Sequence, residues 1–87
     1  MNLRDLEYLV AVADARSFRQ AALACDVSQP TLSTQVKKLE AELGVTLLDR
    51  TVAPLALTSV GERVVGRARS ILAEVAAKGV TQEELDR

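Results

Sequence analysis

A chain of 87 residues with no histidine, one cysteine and two aromatic residues makes one small domain, and it lacks the parts for a zinc cluster, a disulfide framework or a histidine-based catalytic site. Its net charge of −1 is not that of a general nucleic-acid coat, which is basic throughout. The longest charge-free run, Thr51 to Gly61, falls far short of the ~20 apolar residues of a membrane span, and no basic start followed by an apolar stretch marks the chain for export, so a cytoplasmic location is expected.

Asn2 can cap a first helix in which Leu3, Leu6, Leu9, Val10 and Ala13 recur at helical spacing, with Tyr8 partly covered. That helix should end near Asp14-Ala15-Arg16. Ser17 caps a second helix, where Phe18, Ala21, Ala22 and Cys25 fall at i, i+3, i+4 and i+7. The small Ala21-Ala22 pair lets another helix approach closely. Cys25-Asp26-Val27 reads as a tight corner, since Asp tolerates turn geometry and Val27 can anchor the corner in the core. Cys25 itself reads as a small buried hydrophobe, with no basic neighbour or resolving cysteine to make it reactive.

The third helix is expected over residues 28–43. Ser28 is its N-cap, and Pro30 lies in the first turn, where its missing N–H has no intrahelical acceptor to lose. Leu32, Val36, Leu39 and Leu43 form the buried stripe, and Gly44 suits a left-handed C-cap. At about 100° per residue, Gln29, Pro30, Ser33, Thr34 and Lys37 share an arc of roughly 140°, centred about 120° from the leucines. A merely wet surface would carry Glu and Lys there, which solvate better and favour helix. Short side chains that both donate and accept suit base-pair edges in a major groove instead. From Arg16 to Lys38 the basic residues Arg16, Arg19, Lys37 and Lys38 stand against Asp26 alone, a local balance of +3. Basic charge therefore coincides with the polar row, as phosphate contact requires.

Val45-Thr46-Leu47-Leu48 reads as a short strand and Leu55-Ala56-Leu57 as its partner, with Asp49 to Pro54 as the loop of a small wing. Thr58 or Ser59 caps a long helix running to about Lys78. With Ser59 as cap, Glu62 takes the capping-box position; with Thr58, Gly61 sits there and the box is lost. Val60, Val64, Ala68, Ile71 and Val75 make one stripe, and Val65, Leu72 and Ala76 widen it. So wide a band exceeds what a lone terminal helix needs for docking, and it points to pairing of two chains. Gly79 breaks the helix, and Thr81-x-x-Glu84 could cap a further short segment.

The helix, the Ala-Ala helix, Val27-Ser28-Gln29-Pro30-Thr31-Leu32-Ser33 and the run Leu39-Glu40-x-Glu42-Leu43-Gly44-Val45-x-Leu47-Leu48-x-Arg50 together resemble the LysR-type transcriptional regulators over residues 1 to about 78. The opening Met1-Asn2-Leu3-Arg4-Asp5-Leu6-Glu7-Tyr8-Leu9-Val10, with Gln29 to Gln35, looks most like the peroxide-sensing OxyR branch. The resemblance implies a mainly α fold: a winged helix-turn-helix, with a three-helix core and a two-stranded wing, followed by a long dimerisation helix. It divides the chain into a DNA-binding domain at 1–58, a linker and dimerisation helix at 59–78 and a tail at 79–87 leading to an absent effector domain. Partners would be double-stranded DNA and a second copy of the chain, with no cofactor. The DNA-binding set would be Ser28, Gln29, Pro30, Thr31, Ser33, Thr34, Lys37, Lys38, Arg19 and Arg50; the dimer set, Val60, Val64, Ala68, Ile71, Leu72 and Val75. One departure is visible: Val52-Ala53-Pro54-Leu55-Ala56 carries no charge where many family wings carry Arg or Lys. That leaves Arg50, at the wing base, as the contributor to minor-groove contact.

An enzyme is disfavoured by the absence of histidine, of a usable thiol and of an acidic pair in a plausible cleft. A helical protein-interaction module built on the fourth helix is the rival reading. Single-strand or RNA binding lacks the aromatic stacking platforms it needs.

Overall fold

The computed structural model describes residues 1–79, in the order α1 (Leu3–Ala15), α2 (Phe18–Cys25), α3 (Gln29–Leu43), β1 (Leu48–Asp49), β2 (Ala56–Leu57) and α4 (Ser59–Ala77). The possible cap at Thr81 lies outside the described residues. Each helix begins on the residue whose side chain can replace a missing intrahelical acceptor. Asn2 accepts from the Asp5 N–H while the Asp5 carboxylate accepts from the Asn2 N–H, a complete capping box. Ser17 accepts from the Gln20 N–H, and Ser28 from the Thr31 N–H. α4 ends on right-handed Lys78, and the first three helices end on left-handed residues at Arg16, Asp26 and Gly44. Glycine takes that conformation freely, while Arg16 and Asp26 hold it at a steric cost in the two tight connections.

α1 lies at the centre and packs against α2, α3 and α4. Leu9, Val12, Leu32, Val36, Leu39 and Leu47 are the largest fully buried side chains, and removing each from water stabilises the fold by roughly 1.5–3 kcal/mol. Alanine at 21 and 22 leaves α2 close to its neighbours, both residues being buried. Two expectations change here. Tyr8 is buried rather than partly covered, and Leu43 is 36% exposed and so drops out of the α3 stripe. Leu43 belongs to the last turn of α3, which runs past the helices that cover Leu32, Val36 and Leu39.

The wing is smaller than its sequence suggests. β1 and β2 pair antiparallel at only Leu48 with Leu57 and Asp49 with Ala56. Residues 45–47 are not strand, because the Val45 and Leu47 N–H groups turn to Glu40 of α3, while the Leu47 carbonyl reaches across to the partner strand's end. The Val45 N–H donates to the Glu40 carbonyl, the Leu47 N–H to the Glu40 carboxylate, and the Leu47 carbonyl accepts from the Thr58 N–H. Asp49 is strand rather than loop, and its side chain accepts from the Thr51 N–H and hydroxyl. Those two bonds hold the Asp49 carboxyl below its usual range.

Thr58, not Ser59, caps α4, so Gly61 occupies the third position and there is no capping box. The Thr58 hydroxyl accepts from the Gly61 N–H at 2.9 Å and donates to the Thr46 carbonyl at 2.6 Å. Gly61 is itself buried against the wing base: a Cβ built there would lie 2.9 Å from the Leu47 carbonyl carbon and nearer still to its oxygen. Among the described residues, no helix is long and apolar enough to cross a membrane.

Candidate nucleic-acid interface

The leucine stripe of α3 turns the opposite side of that helix outward. Gln29, Pro30, Thr31, Thr34, Lys37 and Lys38 are exposed, and Ser33 is half-buried. Ser28 and Thr31 are already engaged with one another: the Ser28 hydroxyl donates to Thr31 Oγ1 at 2.8 Å and accepts from the Thr31 N–H at 3.2 Å. Their role is to fix the start of α3. Gln29, Ser33 and Thr34 keep their polar atoms on the outward side, which makes them the row able to meet base edges.

Basic groups flank this row. Among the described residues no ion pair engages Arg16, Arg19, Lys37 or Lys38; the pairs present join the Met1 amine to Glu42, Arg50 to Glu40, Arg69 to Asp14 and Lys78 to Glu74. Arg19 is exposed near the start of α2, while Lys37 and Lys38 are exposed midway along α3. Phosphate-binding cations must be both accessible and uncompensated, and these are.

Arg50, expected at the wing base, is engaged within the protein. Its Nη1 donates to Glu40 Oε1 at 3.2 Å, and its guanidinium lies 5.4 Å from the centroid of the Phe18 ring. It is a strut between wing, α3 and α2 before it is a DNA contact. Sequence reasoning missed Glu40, because nothing in the spacing shows that its carboxylate reaches two wing amides. The wing tip is as bare as its composition implies, with Val52 at 46% exposure.

The fourth-helix stripe splits between two environments. Val65 and Ala68 are buried in the domain's own core, and Val60 and Val64 pack against its edge. Ala68, placed in the expected dimer set, is buried within the single chain. The reason is register: Gly61, Val65 and Ala68 share one side of the helix, and that side docks. Leu72 and Val75 are half-buried, and Ile71 is 44% exposed. Outside the core, Arg63, Gly66, Arg67, Ser70 and Ile71 line an open groove of about 530 Å³. Val60 and Val64 join Arg63 and Arg67 in a smaller one of about 200 Å³.

Neither groove holds a catalytic set. No group of three His, Cys, Asp or Glu residues among the described residues could hold a metal ion. Cys25 is half-buried and packs against the core. Burial pushes its thiol pKa up, and Glu7 adds to the shift, against a smaller opposing effect of Arg4. The thiol is therefore protonated at neutral pH and is a poor nucleophile.

Known proteins share this arrangement. Residues 3–62 match the family described as bacterial regulatory helix-turn-helix protein, lysR family. Over 75 residues the chain is 59% identical to the DNA-binding transcriptional dual regulator OxyR of Escherichia coli, covering 86% of this chain and 25% of that protein. The chain thus spans about a quarter of the length of the curated relatives it matches. In three dimensions it superposes on the BenM DBD from the complex with benA site 1 DNA, with a TM-score of 0.88 and 40% identity, covering 90% of this chain and 88% of that one. It also superposes on a full-length OxyR variant from Pseudomonas aeruginosa, with a TM-score of 0.84 and 45% identity over 88% of this chain and 26% of that one. With that family match over residues 3–62 and these likenesses in sequence and fold, the chain belongs to the lysR family of bacterial regulatory helix-turn-helix proteins.

Proposed function

We propose that this chain is the DNA-binding part of an OxyR-like transcription regulator that acts in the cytoplasm and reads double-stranded DNA as a homodimer. α3 enters the major groove, and two copies address an interrupted inverted repeat. In this reading residues 1–58 bind DNA, 59–78 pair the chains and 79–87 lead toward the rest of the protein. The observation that carries it is the outward row of Gln29, Ser33 and Thr34 beside uncompensated Lys37 and Lys38, on a helix anchored by buried Leu32, Val36 and Leu39. The BenM DBD to which the chain is similar was seen in a DNA complex. Peroxide chemistry is not assigned to Cys25, whose thiol is held protonated.

Gln29 and Ser33 read bases in this scheme, while Lys37 and Lys38 hold phosphate. Sites selected from random duplexes should form an inverted repeat. On the best of them, Gln29→Ala should cost ~1–3 kcal/mol and relax preference at one position, as loss of a bidentate contact does. Removing one lysine should weaken all sequences alike and lower the salt slope by about one. Equal loss on selected and random duplexes for Gln29→Ala would take away its base-reading role. A retained preference against competitor DNA also separates this function from a helical protein-interaction module.

Pairing through α4 uses the apolar side chains that its own core does not fully bury: exposed Ile71 and half-buried Val60, Val64, Leu72 and Val75. Ile71 is the most telling of these, being a large apolar residue 44% exposed beside the 530 Å³ groove. Ile71→Glu replaces the exposed apolar anchor of that seam by a carboxylate that keeps its water, and should give monomers in sedimentation. An unchanged dimer would move the interface elsewhere.

A further inference from the structure

One carboxylate joins three elements at the wing base. Glu40 Oε2 accepts from the Leu47 N–H at 2.7 Å and from the Leu48 N–H at 3.3 Å, while Oε1 accepts from Arg50 at 3.2 Å. The Glu40 side chain is 12% exposed and that of Arg50 33%, and the guanidinium continues onto the Phe18 ring of α2. Bonds to a charged acceptor are the stronger kind, and here two of them end on backbone, so the wing strand cannot shift without losing them. Glu40 also falls, at about 100° per residue, within ~20° of Gln29 around α3. A bare carboxylate there would repel phosphates, and Arg50 neutralises it. With Val52 to Ala56 uncharged, that pairing leaves the wing without a free cation.

We infer that Glu40 is a positioning residue for DNA binding, which fixes the wing on α3 and, by holding Arg50, keeps that guanidinium out of the neighbouring minor groove. The inference rests on the DNA-binding reading above. It accounts for Arg50 lying within reach of the wing yet turned to protein. Freed from Glu40, an arginine at this position would neutralise one further phosphate and would favour the narrow minor groove of A-tracts.

The test measures binding over a salt series by fluorescence anisotropy for wild type, Glu40→Gln, Arg50→Ala and the double variant, with thermal melts to verify folding. Each is read on the selected duplex with A-tract flanks, on the same duplex with mixed flanks, and on a random duplex. Wild type should be indifferent to the flanks. Glu40→Gln, isosteric but neutral, should steepen the salt slope by about one and acquire a preference for A-tract flanks. The double variant should lose both gains, which simple removal of a negative charge would not do. The inference is overturned if Glu40→Gln changes neither quantity, or if the double variant keeps the steeper slope. It is equally overturned if the double variant, which leaves no bare carboxylate, has a slope flatter than wild type by about one, since Arg50 would then touch DNA while paired. Should Glu40→Gln fail to fold, Glu40→Ala read against Glu40→Ala/Arg50→Ala takes its place, and the same outcomes support or overturn the inference. Slopes on the random duplex test Glu40 even if wild type binds selected and random DNA equally, the result that would sink base reading.

Discussion

Inserting five base pairs between the half-sites should reduce binding of this chain to its non-specific level, a loss on the order of 10³-fold or more. In the proposed dimer, two α3 helices related by a two-fold axis would meet major grooves at a separation set by the α4 pair. α4 has 19 residues and docks on its own domain through Gly61, Val65 and Ala68, so it has little freedom to reorient the reading heads. Five base pairs turn one half-site about half a revolution around the duplex, and only one head can then dock. Replacing flanking A-tracts by mixed sequence should matter far less, because the wing tip is uncharged and Arg50 is bound to Glu40. Gel shifts on the spaced and flank-swapped duplexes measure both effects. Undiminished binding to the spaced duplex would mean independent monomers, and a costlier flank swap would mean the wing does read the minor groove.

Gly61→Ala should be the most destabilising single-methyl change in the chain. The added Cβ would meet the Leu47 carbonyl, backbone that already accepts from the Thr58 N–H at 3.0 Å. It cannot turn aside as a flexible side chain could. Either the first turn of α4 lifts off the wing base or the Thr58 cap opens, and overpacking of this kind costs about 3 kcal/mol. For a domain of this size that lowers the melting temperature by more than ~10 °C. Gly66→Ala is the matched control on the same helix. Nothing lies within 4 Å of a Cβ at Gly66, so the change gains helix propensity of roughly 0.8–1 kcal/mol. The two melts, taken at equal protein concentration, should therefore move in opposite directions. A Gly61→Ala melt within ~3 °C of wild type would show that α4 and the wing base are not held against each other as described.

Local signals foretold the helices well. Asn2, Ser17 and Ser28 each cap the helix assigned to them, Gly44 ends α3 in the left-handed region, and Leu32, Val36 and Leu39 are buried. These features depend on neighbours three or four residues apart, so periodicity and cap chemistry suffice to find them. The outward row of Gln29, Ser33, Thr34 and Lys37 follows from the same periodicity once the leucines are given the core. The resemblance to LysR-type regulators, carried by the Ser28 to Arg50 stretch, agrees with the family match over residues 3–62.

Contacts across longer separations were not legible. Glu40 reaching Leu47, Leu48 and Arg50, Thr58 choosing the cap over Ser59, and Gly61 meeting the Leu47 carbonyl all depend on how α3, the wing and α4 come together. The same packing shortened the strands, since the N–H groups of Val45 and Leu47 found Glu40 of α3 before a sheet partner. It also divided the α4 stripe, burying Ala68 in its own domain and leaving Ile71 outside. An apolar periodicity states that a side of a helix will be covered; which element covers it is decided by the shape of the assembled core.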